Sequence, residues 1–420
     1  MIKILTQIKN TLMYPFALTI VTGQSELKRI ESIGKKPAVR FQNQYDGRPI
    51  MLFALYQKGA VRPDCIRLMQ AAQKAGVYVV AVNTLKMKDP DSLKGLVDCY
   101  IEKFNFGRDF SSYKTGFLDI FGNGWEKTCP RLLMINDSTF FARDRVDTFL
   151  KDMMTSDVEV LGSTENFEIE YHLGSFCISM SDDVLKHRKF RRYWEKYRVT
   201  DVRPMVIYRG EMEFSKTLKK CASEASQFKA LYGADRYFSE VSQQSELLEF
   251  SLKNARTSDL TGWARISASA VSEFLEARYN MRVNDTPEDA LIRSEIEKVN
   301  EKVYVDGFDE LSDYVNRNVV SAGKVSTETL QKATAAILTE VFTEGSHIHQ
   351  NGLVLLKMGL PLVKLDGLYR GMFNVFDVSN ICALLHPEDA PEFQTLIMER
   401  PYGGKMLRGW KNAAFMRGLI

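Results

Sequence analysis

A carboxylate flanked by two small hydrogen-bonding side chains, Asn136-Asp137-Ser138, directly follows the apolar residues of the stretch LLMINDSTFF. A short apolar run of this kind predicts a buried strand that leaves the core at the polar triplet. Sites for nucleotide diphosphates often hold a divalent ion between phosphate oxygens and one or two carboxylates. Asp137 is therefore a candidate ligand for Mg²⁺ or Mn²⁺. As one isolated acid, it fits a cap for the following helix better.

A second candidate site lies in the stretch KFNFGRDFSSYKTG, residues 103–116. Gly107 permits a backbone turn. Arg108 has a planar guanidinium group with several N–H donors, and Asp109 has a carboxylate that accepts hydrogen bonds. Together they suit a nucleotide, with the base or ribose on the carboxylate and phosphate on the basic group and the helix N-terminus. Because no glycine-rich phosphate fingerprint is present, a capping Asp109 and a solvated Arg108 are an equally supported alternative.

Candidate acid–base groups follow further along the chain. Glu211 and Glu213, in YRGEMEFSKTL, precede a helical run. One of them could be a general base. Alternatively, both are exposed acids that complement the helix dipole. His172, in ENFEIEYHLGSFCIS together with Ser175, could donate to a phosphate. A lone histidine before a strand is more often a structural residue.

Two histidines and a lysine near the C-terminus are further candidates. His347 and His349, in GSHIHQNG, would share one face of a strand, as zinc ligands can, but the sequence suggests no third ligand. Lys364 follows an apolar run in GLPLVKLDGLYRGMF and could contact an anionic acceptor; a surface lysine is the alternative.

Composition excludes several classes of function. The net charge is +3, from 56 basic and 53 acidic residues, so no chain-wide field attracts nucleic acid. The six cysteines stand singly, which predicts the reduced thiols of a cytosolic protein. The apolar patch near the N-terminus is short and contains Pro15, so we expect neither a membrane span nor a signal peptide.

Strands alternate with helices from about residue 50 to 180. Apolar runs predict strands at 50–56, 77–84, 96–103, 131–137, 157–164 and 173–181, and helical periodicity predicts helices at 62–76, 107–121 and 145–153. This alternation predicts a mostly parallel α/β sheet with helices on both faces. Ligands bind at the carboxyl ends of such strands, where Asn83 and the Asn136-Asp137-Ser138 triplet lie.

The rest of the chain is predicted to form three further regions. Residues 1–48 are an N-terminal extension to the α/β domain of residues 49–222. Residues 223–344 form a helical insertion, in which Thr286-Pro287-Glu288 has the pattern of a helix start. Residues 345–420 return to the α/β domain and end in a basic tail.

The basic tail has the composition of an interfacial helix that rests on anionic lipid, and a solvated terminal helix is an equal alternative. Its residues are Arg400, Lys405, Arg408, Trp410, Lys411, Phe415 and Arg417.

Taken in order, these stretches resemble the rhamnan synthesis protein F family of glycosyltransferases. NFGRDFSSYKTG is similar to the family's N-x-G-x-D-F-x-x-Y-K element, and LLMINDSTFF to its strand ending in Asn-Asp-Ser. YHLGSFCISMSDDVLKHRKFRRYWE is similar to its His-Leu-x-Ser-Phe block. GEMEFSKTL and HQNGLVLLKMGLPLVK follow in the expected order, so that the resemblance covers residues 50–220 and 345–380.

The resemblance implies a GT-A-like nucleotide-binding sheet and a cytoplasmic transferase at the inner face of the membrane. It implies transfer of a sugar, with dTDP-L-rhamnose favoured as donor, to a lipid-linked or oligosaccharide acceptor in O-antigen, capsule or rhamnan synthesis, with inversion at the sugar. Glu211, then Glu213, would be the base, and His349 and Lys364 would bind the acceptor. The implied donor-binding residues are Asn83, Asn105, Gly107, Arg108, Asp109, Lys114, Asn136, Asp137, Ser138, His172 and Ser175.

Two alternatives stay open at this point. Ser138 stands where many GT-A enzymes carry a second acid, which leaves metal dependence open and admits a non-catalytic glycan-binding or scaffold protein. A transferase that uses a UDP- or GDP-linked sugar is the other alternative, because no residue is diagnostic for the nucleotide base.

Overall fold

The computed structural model describes six stretches of the chain: residues 2–254, 268–279, 282–283, 307–320, 325–400 and 402–420. The chain divides into two compact units. The first comprises residues 1–165, 170–231 and 359–420, and the second comprises residues 166–169 and 232–358. Residues 345–358 therefore lie in the second unit, apart from the remainder of the predicted C-terminal segment.

The described residues form the following elements. The strands are β1 Ala38–Gln42, β2 Ile50–Leu55, β3 Tyr78–Asn83, β4 Cys99–Glu102, β5 Arg131–Asn136, β6 Thr139–Phe141, β7 Val160–Asn166, β8 His172–Leu173, β9 Cys177–Ser181, β10 Phe228–Tyr232, β11 Arg282–Val283, β12 Val319–Val320 and β13 Leu362–Lys364. The α-helices are Ile2–Ser32, Pro63–Lys74, Arg108–Asn123, Val146–Thr155, Asp182–Lys186, Arg188–Lys196, Arg203–Val206, Glu213–Lys219, Ala234–Gln243, Ser245–Asn254, Ala268–Tyr279, Phe308–Asn318, Thr327–Phe342, His347–Gln350, Gly352–Met358, Gly367–Arg370, Val375–Leu384, Ala390–Met398, Gly403–Met406 and Gly409–Met416. Short 3₁₀ turns lie at Pro90–Leu93, Trp125–Lys127 and Ala225–Gln227, and a π-helix at Ile207–Met212.

Nine of the described strands form one mixed sheet in the order β1-β4-β3-β2-β5-β9-β7-β10, with β8 paired to β7. β2 runs parallel to β3 and β5, and β3 runs parallel to β4. β1 is antiparallel to β4, and β9 is antiparallel to β5 and β7. The α/β prediction is confirmed, but the prediction of a mostly parallel sheet is wrong. A buried apolar run reads the same in either strand direction, so the sequence pattern could not reveal the antiparallel β9.

The order of the strands reverses beside β2. The chain goes from β2 outward to β3 and β4 on one side and then returns to β5 on the other. In open α/β sheets, the crevice outside the carboxyl ends of the strands at such a reversal is the usual ligand site. The register places Asn83 opposite Leu55 and Asn136 opposite Ala54. The polar residues that end β3 and β5 therefore lie on either side of β2 at the same edge of the sheet. This edge, formed by the carboxyl ends of β2, β3 and β5, is the rim.

Apolar side chains cover both faces of the central strands. Every residue of β2 is buried. Leu52 clusters with Phe117 of the helix Arg108–Asn123. Phe53, which points to the opposite face, packs edge-on against Phe141 with the ring centroids 5.7 Å apart. This two-sided packing fixes the strand ends whose loops carry the candidate site.

Two predictions of secondary structure need comment. Residues 228–232 were expected to be helical within the insertion but form β10 at the edge of the sheet. The strand is only five residues long and is followed directly by the helix Ala234–Gln243, so its apolar residues could be taken as part of a helical pattern. Thr286-Pro287-Glu288 lies outside the described residues.

Among the helices that the structure describes, none is long and apolar enough to cross a membrane.

Gly116 provides a test of the packing beneath the site. A Cβ on Gly116 would lie 2.2 Å from Cδ1 of Leu52, whereas a Cβ on Gly122 of the same helix would meet nothing within 4 Å. We expect Gly116→Ala to lower the free energy of unfolding by about 1–3 kcal/mol, the usual cost of overpacking. Gly122→Ala, the control, should raise it by about 0.5–1 kcal/mol through helix propensity. Urea unfolding of both variants measures this, and equal effects would contradict the packing described here.

Candidate functional site

A row of hydrogen bonds links side chains from three elements at the rim. The Nδ2 of Asn136 donates to Oδ2 of Asp109, 2.9 Å away, in the first turn of the helix Arg108–Asn123. The Oδ1 of Asn136 accepts from the backbone N–H of Ser138 at 3.1 Å and from the Ser138 hydroxyl. Asn136 thus orients both an acid and a hydroxyl. Burial raises the pKa of the Asp109 carboxyl, and the positive charge of Lys364 acts in the opposite direction.

Asp137 ties the end of β5 to the end of β2. Its Oδ2 accepts from the backbone N–H of Tyr56 at 2.6 Å and from the side-chain amide of Gln57. Its carbonyl oxygen accepts from Nη1 of Arg62 at 2.9 Å. Burial raises the pKa of the Asp137 carboxyl, and the charge of Arg62 opposes that rise. One carboxylate oxygen of Asp137 is therefore already used in holding the two strand ends together.

The turn before the helix Arg108–Asn123 is held by Asp201. Gly107 has φ +90° and donates its N–H to Oδ1 of Asp201 at 2.7 Å. A Cβ on Gly107 would lie 1.9 Å from Cγ1 of Val199, so both the backbone conformation and the space require glycine. Arg108 also has a positive φ, 51°, and its Nε donates to the carbonyl oxygen of Asp201 at 3.0 Å. These contacts set the direction in which Asp109 enters the rim.

Lys364 joins the row of hydrogen bonds at its other end. It ends β13, which pairs antiparallel with β6 directly after the Asn136-Asp137-Ser138 triplet. Its Nζ donates to Oγ of Ser138 at 2.7 Å and lies 4.6 Å from the ring centroid of Phe176. Burial lowers the pKa of Lys364, against the negative charges of Asp109 and Glu211 among others. The structure therefore places Lys364 among the predicted donor-binding residues.

Glu211 lies on the π-helix Ile207–Met212, an irregularity that is frequent at functional sites. Its Oε2 is 3.6 Å from Nε2 of His172, and its side chain is 29% exposed. Nδ1 of His172 lies 2.7 Å from the carbonyl oxygen of Glu170, which can only accept, so Nδ1 carries a proton, and a second proton on Nε2 would face the Glu211 carboxylate. Burial acts to raise the pKa of Glu211, but the nearby His172 and the charge of Lys364 outweigh burial and leave it lowered.

Glu213 faces a different environment from Glu211. Its Oε1 lies 3.2 Å from Nζ of Lys216, which also pairs with Glu170 at 3.0 Å. It lines a shallow surface pocket together with Lys189 and Arg192. Of the two predicted bases, Glu211 is therefore the one beside His172, whereas Glu213 pairs with Lys216.

Several predicted donor-binding residues have structural contacts. Oδ1 of the buried Asn83 accepts from the N–H of Gln57 at 3.0 Å, and its Nδ2 donates to the carbonyl of Gln57 at 2.8 Å. Nζ of Lys114 donates to the carbonyl of Tyr197 at 2.8 Å. Ser175 is buried, and its carbonyl accepts from Tyr113 at 3.3 Å. Asn105 is half-buried in the loop before Gly107. Of these four, Asn83 and Lys114 have their side chains engaged within the protein.

The predicted histidine pair lies in the second compact unit, on the short helix His347–Gln350. The expectation that both histidines share one face of a strand is therefore wrong, because residues i and i+2 of a helix point in different directions. His347 is buried 4.1 Å from the ring centroid of Phe342, and burial lowers its pKa to about 3. Nδ1 of His349 lies 2.9 Å from Oγ of Ser346.

The rim does not provide the ligands that a tightly held divalent ion needs. Within the described stretches, no group of three or more His, Cys, Asp or Glu side chains is arranged to hold a metal ion. Asp137 has one oxygen engaged by Tyr56 and Gln57. The position after it is Ser138, whose hydroxyl already accepts from an ammonium group. The Mg²⁺ or Mn²⁺ site suggested by the sequence stays a prediction, and the described residues offer it Asp137 with one carboxylate oxygen already engaged.

Two arginines near the rim were missed by the sequence analysis. Nη1 of Arg203 donates to the carbonyl of Gly418 at 3.3 Å, and Nη1 of Arg370 donates to the backbone oxygen of Ile420 at 2.8 Å. The charge of Arg203 acts on the pKa values of Lys364, Arg370 and Glu211. Arg370 follows Lys364 closely in the sequence, which was a usable signal; nothing in the sequence marks Arg203.

A cavity of about 1270 Å³ lies in the same unit. Its lining combines apolar side chains, including Leu18, Phe104 and Leu118, with cations such as Lys35 and Arg198. Nζ of Lys35 lies 3.8 Å from the ring centroid of Phe104. The combination suits a ligand with both a hydrocarbon part and a negative charge.

Comparison with known protein families supports the resemblance drawn from the motifs. The family model of Rhamnan synthesis protein F matches residues 77–239. The uncharacterized protein y4gN of Sinorhizobium fredii (strain NBRC 101917 / NGR234) is 22% identical over 174 residues, which are 40% of this chain and 45% of that protein. A crystal structure of the glycosyltransferase GlyE of Streptococcus pneumoniae TIGR4 shows 14% identity and a TM-score of 0.25, over 49% of this chain and 50% of that one. The chain thus spans about half the length of each of these two proteins.

The contact between Asn136 and Asp109 predicts a pH-dependent loss of stability. Asn136→Asp would place two carboxylates 2.9 Å apart, so the folded variant would hold a proton that the unfolded chain releases. Its free energy of unfolding should therefore fall relative to wild type as the pH rises from about 4 to 7, by about 1–3 kcal/mol.

Melting temperatures at several pH values measure this effect. The control is Asn123→Asp, because Asn123 donates to Asp119 at 3.2 Å in an exposed position. The free energy of unfolding of this control should fall only slightly below that of wild type at every pH. The same pH dependence in both variants would contradict a partly buried Asp109–Asn136 contact.

Proposed function

We propose that this chain is a glycosyltransferase that moves a sugar from a nucleotide donor to a growing surface polysaccharide. The observation that carries the proposal is the hydrogen-bonded row of Asp109, Asn136, Ser138 and Lys364 at the strand reversal beside β2, whose charges interact with Glu211. Titratable groups with shifted pKa values that converge at such a place are typical of active sites. The match of residues 77–239 to the rhamnan synthesis protein F family supports the same activity.

The donor would bind in the crevice at the carboxyl ends of β2 and β5. Asp109 offers a carboxylate oxygen to the nucleoside, in an orientation fixed by Asn136. Lys364, with the arginines near it, offers positive charge to the diphosphate. We propose dTDP-L-rhamnose as the donor on the basis of the family. UDP- and GDP-linked sugars are the alternatives.

Glu211 would act as the base in an inverting single displacement. Its carboxylate removes the proton of the acceptor hydroxyl as that oxygen attacks the anomeric carbon. The bond from the anomeric carbon to the diphosphate breaks, and its electron pair leaves with the nucleoside diphosphate. A lowered pKa keeps Glu211 ionised at neutral pH, and His172 holds it from the protein side.

The acceptor is proposed to be lipid-linked, with its lipid in the cavity that Leu18, Phe104 and Leu118 line. Arg209, which also lines this cavity, belongs to the same π-helix as Glu211. One element would thus contact the acceptor and carry the base.

The same proposal places the protein in the cytoplasm, in peripheral contact with the inner membrane face. Arg408 and Lys411 of the basic tail are exposed, and each cation near an anionic membrane contributes about 1 kcal/mol of attraction. Within the tail helix, Ala414 packs against Ala17 of the N-terminal helix and Phe415 is buried, which leaves Met416 as the exposed large apolar residue. The contact would therefore be mainly electrostatic. The side chain of Lys405 lies outside the described residues.

The assignment of the base is tested by Glu211→Gln with Glu213→Gln as the matched control. Loss of a general base costs about 10²–10⁴-fold in turnover, so we expect that loss in kcat for Glu211→Gln and nearly normal turnover for Glu213→Gln. Donor affinity should be preserved in both. Equal activity of the two variants would contradict the assignment, and absence of donor binding by folded wild-type protein would favour the non-catalytic alternative.

The acceptor proposal is tested by Leu118→Glu. Leu118 is 39% exposed and lines the cavity, so a carboxylate there should raise the KM for a lipid-linked acceptor at least about tenfold by opposing burial of the hydrocarbon chain. The KM for a short water-soluble oligosaccharide should stay unchanged. An equal change for both acceptors would contradict the placement of the lipid.

A further inference from the structure

We propose that Lys364, Arg203 and Arg370 hold the donor diphosphate directly and take the place of a divalent metal ion. This inference rests on the proposed function and adds that donor binding needs no Mg²⁺ or Mn²⁺. It assigns a binding role to Arg203 and Arg370, two residues that the family resemblance did not indicate.

The first support is the state of the carboxylate that would bind a metal. Oδ2 of Asp137 accepts two hydrogen bonds, from the N–H of Tyr56 and the amide of Gln57. These bonds connect the ends of β2 and β5 across the strand reversal, so that freeing this oxygen would disturb the crevice. The carboxylate of Asp109 likewise accepts from Asn136 through Oδ2. Each acid at the rim thus has an oxygen engaged in positioning the protein.

The second support is an ammonium group where a second metal-binding acid would stand. Ser138 offers a neutral hydroxyl, and Nζ of Lys364 lies 2.7 Å from it. A divalent ion bound to Ser138 would lie within a few ångströms of this positive charge and be repelled by it. A phosphate oxygen at the same place would be attracted. The local charge therefore favours an anion over a cation.

The third support is the convergence of arginines on one short segment. Arg203 and Arg370 donate to the carbonyls of Gly418 and Ile420, which are close neighbours in the chain. Arg370 also contacts Asp366 at 3.2 Å, whereas Arg203 has no carboxylate partner within the residues the structure describes. Both remain able to donate further, because a guanidinium has five N–H groups.

The balance of charge also fits an anionic ligand. Burial lowers the pKa of Lys364 and of Arg370, and the charge of Arg203 lowers both further. Cations that crowd each other in a partly buried place gain from a nearby anion, since it relieves both the repulsion and the loss of water. Arginine in particular binds phosphate through two parallel N–H groups.

These cations would act on the leaving group during transfer. When the bond between the anomeric carbon and the diphosphate oxygen breaks, its electron pair stays on that oxygen and the negative charge of the nucleoside diphosphate increases. Fixed positive groups aimed at this charge stabilise the transition state without rearrangement. Glu211 takes the acceptor proton, so charge and protons balance without a metal ion or any other co-reactant.

Calorimetric titration of the full chain with dTDP, UDP and GDP, in EDTA and again in Mg²⁺ or Mn²⁺, tests the inference. We expect one nucleotide to bind in both conditions, with dissociation constants that differ less than about threefold. Loss of one charged hydrogen bond would change the dissociation constant by more than this. Binding that requires the metal would overturn the inference while leaving the proposed function intact. Absence of binding by folded protein in every condition would overturn both.

Variants then identify the residues. Lys364→Met and Arg203→Gln should each weaken binding in EDTA about tenfold or more, because each removes a charged hydrogen-bond donor. Lys364→Arg, which keeps the charge, should bind within a few-fold of wild type. The controls are Lys151→Met and Arg192→Gln, exposed cations on the helices Val146–Thr155 and Arg188–Lys196, which should bind normally. Wild-type affinity in Lys364→Met and Arg203→Gln would overturn the assignment.

Discussion

The amide of Asn136 is the contact on which the arrangement of the site depends. It ends β5 at the strand reversal, donates to Asp109 on a helix, and accepts from Ser138 on the chain that leads to β6. Ser138 in turn accepts from Lys364, which ends β13. A carboxylate and an ammonium group from distant parts of the sequence are thereby held at opposite ends of one hydrogen-bonded row. An amide is required in its middle because it must donate on one side and accept on the other.

The partly buried charges of this row oppose folding and favour the binding of ligands. Asp109, Glu211 and Lys364 are each partly withdrawn from water, and burial lowers the pKa of Lys364 while raising that of Asp109. Shifts of this kind mark groups whose charges are incompletely compensated within the protein. A nucleotide diphosphate would compensate the cations, and an acceptor hydroxyl would give Glu211 a proton to remove. The ligands would thus supply the negative charge and the proton that the site lacks in the folded chain alone.

Much of the fold could be predicted because buried strands carry a strong local signal. The runs around Leu52, Val80 and Leu133 are apolar throughout, and turn residues mark where they end. Since polar residues that follow such runs lie at strand ends, Asn136 and Asp109 could be proposed for the rim. The edge strand β10 could not, because a five-residue apolar run next to a helix does not distinguish strand from helix. Strand direction was also out of reach, because pairing is decided by contacts between distant segments.

The site was predicted less completely than the fold, for a related reason. Glu211 and Glu213 are equivalent in the sequence, and they separate only when the helical turn sends them in different directions. Arg203 donates to the backbone of Gly418 through a long-range contact that leaves no local motif, whereas the position of Arg370 shortly after Lys364 was a usable signal. Lys364 was proposed for the acceptor, but the pairing of β13 with β6 brings it to Ser138. Asn83 and Lys114 were assigned to the donor, and their side chains donate to the carbonyls of Gln57 and Tyr197, so their role toward the donor stays a prediction.

The central claim is that this chain breaks the bond between a sugar and a nucleoside diphosphate at the rim described here. The most direct measurement is the release of nucleoside diphosphate by the purified protein from dTDP-L-rhamnose and from UDP- and GDP-sugars, followed by mass spectrometry with and without acceptor. The account predicts release from one of these donors, accelerated by acceptor and unaffected by EDTA. A well-folded protein that cleaves none of them, with acceptor present, would contradict it.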